Sequence, residues 1–296
     1  MKYFDSHSHL NLSPLKEQQA EIVEILKAEK VGTITIGTDF ETSKLAVEIA
    51  ENNSNIWASV GLHPNDALTS FVLSVLSRAE SSEVEWAAYK ELARHPKVVA
   101  IGECGLDYFR MGNEPPALEA SSVAKAMKDE TASRRKQKEI FLKQIELAIE
   151  IKKPLMIHCR PSKGTQDAYE DVLNILTTYN QQLTTKIKGN MHFFAGNLEV
   201  AKKFLDIGFT LSFAGPITFS SDYNEVIKYI PLNMILSETD APFAAPAPYR
   251  GKTNYPQYVE EVVKKIAEIK NLPLEIVQKS LVENAFRAFS LVMGHR

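Results

Sequence analysis

Eight short runs of apolar and β-branched residues recur along the chain, separated mostly by stretches with helical spacing. The runs are KYFD (2–5), VGTITIGT (31–38), IWASVGLHP (56–64), VVAIGECGLD (98–107), PLMIHCR (154–160), KGNMHFF (188–194), FTLSFAG (209–215) and MILSETD (234–240). Helical spacing covers 17–30, 41–52 and the larger gaps further on. A strand that returns through a helix re-enters its sheet parallel to the one before it, so eight such units in 296 residues predict a (β/α)8 TIM barrel. A doubly wound sheet would use fewer strands and carry a glycine-rich phosphate turn after the first, and no GxGxxG follows residues 2–5. No internal repeat or Gly/Ser linker divides the chain, which predicts one barrel domain over 1–296. Two stretches depart from the pattern. The gap at 65–96 has room for two helices. A polar insertion at about 111–136, following Phe109 and containing Pro115 and Pro116, leaves the end of the fourth strand ahead of the helix FLKQIELAIEIKK. With few large apolar residues to hold a core, it is expected to be a mobile flap with one short helix.

Charge removes several roles. Thirty-four Lys and Arg against 37 Asp and Glu leave a formal charge of -3, so no overall basic field exists to hold long duplex nucleic acid or an anionic membrane. Any contact with nucleic acid must be local. The N-terminal MKYFDSHSHL turns polar within a few residues, and no run approaches the roughly 20 apolar residues of a membrane span. A soluble cytoplasmic protein with no membrane or obligate protein partner is the expectation. Cys104 and Cys159 are too few for a disulfide scaffold and read as reduced packing residues.

Five of the seven histidines, His7, His9, His63, His158 and His192, stand at the ends of predicted strands. In a barrel all such ends open on one face, where Glu103 and Asp240 join them. His7, His9, Glu103, His158, His192 and Asp240 supply six side-chain donors, more than one tetrahedral zinc uses and suited to two divalent cations sharing a carboxylate. Glu103 is the natural bridge, and Asp240 can contact one ion and accept a proton from the attacking water. The imidazoles favour Zn or Mn by softness. Asp5, Asp107 and Glu238 are placed to accept the outer N–H of a liganding ring or otherwise to orient a ligand. Arg160, Arg250 and Lys252 are the cations at strand ends or in the following loop that suit phosphate. The run SRRKQK (133–138) reads as a solvated helix face, and Tyr108 and Phe109 read as rim packing.

The ordered motifs FDSHSHL (4–10), VGLHP (60–64), IGECGLDY (101–108), IHCR (157–160), MHFFAG (191–196), ETDAPFAAPAPYRGKTN (238–254) and NAFRAF (284–289) span the chain. In them the sequence resembles the TatD family of metal-dependent deoxyribonucleases, within the amidohydrolase-like barrels. The resemblance implies His7, His9 and Asp240 on one metal, His158 and His192 on a second, Glu103 between them, and His63 near the substrate. It further implies a nuclease acting at the 3′ ends of single-stranded DNA or RNA, and adds Mg, a harder ion that prefers oxygen, to Zn and Mn, so the ion stays open. The same metal chemistry would serve a deacylase or lactonase, including one acting on an aminoacyl-tRNA ester. A non-catalytic binding protein would be favoured by loss of a ligand, and none is lost. Asn65, Ala195 and Tyr255 replace the family's more usual His, Ser and Glu, departures that bear on substrate preference rather than on hydrolysis.

Overall fold

The structure, a computed structural model, describes residues 1–66, 79–109 and 120–292. Eight strands form one sheet in sequential order: β1 (Tyr3–Ser8), β2 (Val31–Ile36), β3 (Ile56–Val60), β4 (Val98–Asp107), β5 (Leu155–Arg160), β6 (Gly189–Met191), β7 (Thr210–Phe213) and β8 (Ile235–Ser237). Every neighbouring pair is parallel. Residues of β1 to β4 are buried on both faces, as expected where helices cover a parallel sheet. The seam between β8 and β1 is tied by the Ser6 hydroxyl donating to Ser237 O, by Ser237 Oγ donating to Phe4 O, and by a bridge between Ser8 and Ala241. These contacts bring the ends of the sheet together as the barrel predicted from the alternation of runs.

The helices are α1 (Gln19–Ala28), α2 (Phe40–Glu51), α3 (Ala79–Ala93), α4 (Ala120–Ile151), α5 (Asp167–Gln182), α6 (Leu198–Asp206), α7 (Asn224–Tyr229), α8 (Val259–Lys270) and α9 (Leu274–Ala288). None that is described is long and apolar enough to cross a membrane. The gap at 65–96 contains α3, while 67–78 lies outside the described residues. The expected flap is corrected over 120–136, which forms the first half of the continuous helix α4; residues 110–119 lie outside the described part. No Pro or Gly interrupts 117–151, and the segment is rich in Ala, Lys and Glu, good helix formers. Its polar half needs no core of its own because the second half is anchored by buried Ile140, Phe141, Ile145 and Ala148.

Two apolar clusters hold the barrel. The larger lies between the sheet and its surrounding helices and includes both cysteines. The smaller joins Phe4, Ile34, Trp57, Ala100, Met156 and Leu236, which come from strands on opposite sides of the sheet order and can meet only inside the barrel. Phe286 of α9 closes this cluster, its ring 5.9 Å from those of Phe4 and Trp57. Truncating a buried aromatic that fills such a space leaves a cavity. Phe4→Ala is therefore expected to lower the unfolding free energy by about 3–5 kcal/mol in urea denaturation, and a loss below about 1 kcal/mol would contradict this packing.

Candidate metal centre

Local backbone irregularities aim the central residues. The pairing of β4 with β5 shifts register between Ile101 and Cys104, and that of β1 with β2 shifts between Asp5 and Ser8. Such shifts re-aim side chains beside active sites, and here they flank Glu103 and His7. The close approach around Glu103 requires glycine: at Gly102, with φ +146°, a Cβ would stand 2.2 Å from Met156 O. Asp240 takes a left-handed backbone, φ 57°, with its N–H donating to His7 O at 2.9 Å.

The arrangement centres on the buried carboxylate of Glu103. Its Oε2 lies 3.5 Å from His7 Nε2 and 3.8 Å from His9 Nε2. Its Oε1 lies 2.8 Å from His158 Nδ1, 3.4 Å from His192 Nε2 and 3.5 Å from His63 Nε2. Asp240 Oδ1 stands 3.6 Å from His7 Nε2 and 3.5 Å from His9 Nε2. The six residues singled out as metal ligands therefore meet, together with His63. Potential ligand atoms lie within 4.8 Å of one another in three groups: His7, His9 and Asp240; His7, Glu103 and His192; His63, Glu103 and His158.

The outer hydrogen bonds assign the ring tautomers. His9 Nδ1 faces Ile36 O at 3.1 Å and must donate to it, which turns the Nε2 lone pair inward. His192 Nδ1 donates to Glu238 Oε1 at 3.1 Å, again leaving an inward Nε2 lone pair. His158 is reversed, with Nε2 donating to Asp107 Oδ2 at 3.3 Å and Nδ1 facing Glu103. Three rings thus turn acceptors toward an acceptor carboxylate, an arrangement stable only when positive charge lies between them. That donor set fits divalent cations. His63 differs, because its Nδ1 accepts from Asn65 N at 3.2 Å and its Nε2 is left as a donor. Two of its neighbours in the proximity groups are thus suited to a cation, but the ring itself is suited to hydrogen-bonding.

Titration follows this pattern. Burial opposes charge on His9, His158 and His192, but the nearby carboxylates outweigh it and raise all three, His192 furthest through Glu238 and Glu103. Burial likewise works against the Glu103 carboxylate, yet the surrounding imidazoles, His63 and His192 foremost, hold it well below its ordinary value. Burial, with His192 stacked 3.5 Å away, pushes His7 down to about 3. Burial lowers His63 to about 3 as well.

The supporting residues are placed differently from one another. Glu238 is fully buried and also accepts from Phe193 N and the Ser212 hydroxyl, both at 2.6 Å. Asp107 accepts from Asn65 Nδ2 at 3.0 Å as well as from His158, so the unusual Asn65 braces two site residues. Asp5 works through the backbone, accepting from His7 N at 3.3 Å. It accepts from Thr239 N at 2.8 Å and Thr239 Oγ1 at 2.7 Å, pinning the residue before Asp240.

Arg160, at the end of β5, stacks on Phe109 with the guanidinium 3.9 Å from the ring centre. Arg250 stacks on Phe219 at 4.1 Å, and Lys252 is exposed two residues on. Neither arginine pairs with a carboxylate among the described residues. Three cations of the basic run at 133–138 are occupied internally: Arg134 binds Asp167 and covers the Tyr108 ring, Lys136 meets Glu139, and Lys138 meets Asp171. Tyr108 packs, buried, as expected. Tyr255 donates to Gln18 Oε1, and Ala195 N donates to Tyr169 Oη, so those two departures from the family pattern have structural partners.

Two residues escaped the sequence reading. Gln144 of α4 accepts from Leu62 N at 2.8 Å and donates to Leu62 O at 2.9 Å, immediately before His63. Gln137 does the same to Asp107 N and O, at 3.0 and 3.1 Å. Both are buried, and the available signal was a pair of amides seven apart on an otherwise apolar helix face.

Comparison with known proteins gives a consistent setting. The family model described as TatD related DNase matches residues 4–290. The uncharacterized metal-dependent hydrolase YabD of Bacillus subtilis is 39% identical over 97% of this chain and 99% of its own length. YcfH of Escherichia coli K12, described in the same words, is 29% identical over 97% of this chain and 95% of its own. Among solved structures, the TatD homologue YjjV of Escherichia coli superposes with a TM-score of 0.77 at 22% identity, covering 98% of this chain and 99% of that one. An uncharacterized amidohydrolase from Saccharomyces cerevisiae does so at 0.73 and 17% identity, covering 98% and 100%. At such identities the two structures bear on the fold alone.

Three outcomes are expected of this centre. The double variant His7→Ala, His9→Ala should keep the circular dichroism of the parent and lose bound metal by elemental analysis; unchanged metal content would remove both residues from the site. Because His9, His158 and His192 must shed protons to bind a cation, zinc affinity should fall by more than about tenfold per pH unit from pH 7 towards 5. A flat profile in competition titrations would contradict a site held by these three imidazoles. Gln144→Leu leaves two buried backbone groups unpaired and should cost about 2–4 kcal/mol in urea denaturation, a loss that would be absent if the clamp were incidental.

Proposed function

The chain belongs to the TatD family of metal-dependent hydrolases, and from that premise we propose that it is a nuclease. It hydrolyses phosphodiester bonds at the 3′ ends of single-stranded DNA or RNA and uses two divalent cations, of Zn, Mn or Mg. One observation carries the two-ion reading: the oxygens of Glu103 divide the donors, Oε2 towards His7 and His9 and Oε1 towards His158 and His192. His7, His9 and Asp240 would hold one ion and His158 and His192 the other, with Glu103 shared. Such a pair of ions, when bound, supplies a water of near-neutral pKa and neutralises charge on the non-bridging phosphate oxygens, so no Ser or Cys nucleophile is needed.

The protein's own groups divide the remaining work. Asp240, whose side chain is 16% exposed against 5% for Glu103, takes the proton of the attacking water on a carboxylate oxygen. Asp107 and Glu238 keep the outer N–H of His158 and His192 in place, so neither ring can turn its lone pair away. His63 donates from Nε2 to a phosphate oxygen. Arg160 and Arg250, with Lys252 further out, balance the charge of the strand, and that neither arginine pairs with a carboxylate among the described residues is what favours phosphate over a neutral carbonyl ester. An enzyme that binds a strand end needs only these few cations, which agrees with a net charge of -3.

The test compares a 3′-labelled single-stranded oligonucleotide with a panel of carboxyl esters, including an aminoacyl ester, on chelated protein with metal added back. Release of single nucleotides from the 3′ end, restored by the metal, is expected; preferential ester turnover would replace this reading with a deacylase. Asp240→Asn should lower kcat by about 10²–10⁴-fold. Arg160→Ala should lower kcat/KM at least about tenfold more on phosphodiesters than on carboxyl esters, and equal losses would exclude a phosphate-binding role.

A further inference from the structure

Two large rings stand exposed on loops that follow β7 and β8. Phe243 is 53% exposed, three residues beyond Asp240, and its ring meets that of His9 edge-on with centres 6.0 Å apart. Its backbone is fixed at both ends, the N–H donating to Asp240 O at 2.8 Å and the carbonyl accepting from Asn254 Nδ2 at 2.6 Å. Phe219, 41% exposed, ends the turn after β7 and carries the guanidinium of Arg250 on one face. The loops bearing the rings brace each other. Thr218 Oγ1 accepts from Ala247 N at 2.8 Å, and a Cβ on Gly215 would stand 2.0 Å from Ala244 O. At the end of β5, on the same mouth of the barrel, Arg160 offers a second stacked guanidinium.

Resting on the nucleic-acid reading above, we propose that Phe219 and Phe243 are a base-stacking platform that selects unpaired strands. Flat apolar faces beside ordered cations match a polymer that alternates flat bases with anionic phosphates. Aromatic faces accept any base, so the platform confers strandedness preference without sequence preference. Bases inside a duplex already use both faces in stacking and cannot occupy it. The guanidinium of Arg250, held against Phe219, stands ready for a phosphate next to the stacked base without being drawn to a carboxylate.

The experiment removes either the ring or the base. Binding of the metal-loaded protein to a single-stranded oligonucleotide is followed by the fluorescence of 2-aminopurine placed near the 3′ end, and KM is measured on the same strands. Quenching on binding is expected for the parent, with Phe219→Ala and Phe243→Ala each raising KM by about tenfold and reducing the quenching. An abasic residue walked through the 3′-terminal positions should weaken binding to the parent by a similar factor at one or two positions. At those positions each Ala variant should no longer distinguish the intact from the abasic strand, while Phe243→Trp should restore the distinction and Phe243→Leu should not. Parent-like KM and quenching in both Ala variants, or full restoration by Leu, would overturn the platform alone. Failure of the parent to bind or cleave any oligonucleotide would overturn the nuclease reading and the platform with it, and shows before any substitution is made.

Discussion

Glu103 lies almost wholly out of water with five imidazoles turned towards its two oxygens. A buried carboxylate is costly unless positive charge or hydrogen bonds compensate it. Here three of the rings are prevented from offering their own hydrogens by partners on the far side. Ile36 O, Glu238 and Asp107 take the outer N–H of His9, His192 and His158 and leave inward lone pairs. The centre is thereby built for cations, and protons are the substitute it accepts without them. The rest of the open face depends on this constraint, since the partner carboxylates must themselves be anchored.

The anchoring reaches into the fold. Glu238 is held by Ser212 of β7 and the backbone at Phe193, while Asp107 is braced by Asn65 and by the Gln137 clamp on its backbone. Asp5 fixes Thr239, and so the left-handed turn at Asp240, across the seam where the barrel closes. The strand order makes these links short: residues more than 230 apart in sequence are neighbours across the seam, as the 234-residue separation of the Asp5–Thr239 bonds illustrates. Rigidity at the metal site is therefore a property of barrel closure as much as of local packing.

Much of this was legible in the sequence because its signals are local. Parallel strands buried on both faces leave continuous apolar runs, and ligands at strand ends follow those runs directly, as His158 follows PLMI and His192 follows GNM. What escaped depends on partners remote in sequence. Gln137 and Gln144 act on backbone groups 30 and 82 residues away. The choice between the two roles open to Asp5 rests likewise on a remote partner, Thr239, 234 residues away, to which its carboxylate is bonded. The polar half of α4 looked like a flap because polarity was weighed above the absence of helix breakers.

The sharing of Glu103 between two cations is the claim on which the chemistry turns, and anomalous diffraction from crystals soaked in zinc or manganese tests it most directly. Two peaks are predicted, one beside His7, His9 and Asp240 and the other beside His158 and His192, with one oxygen of Glu103 at each and His63 bound to neither. A single peak, or an ion coordinated by His63 in place of His192, would contradict the account.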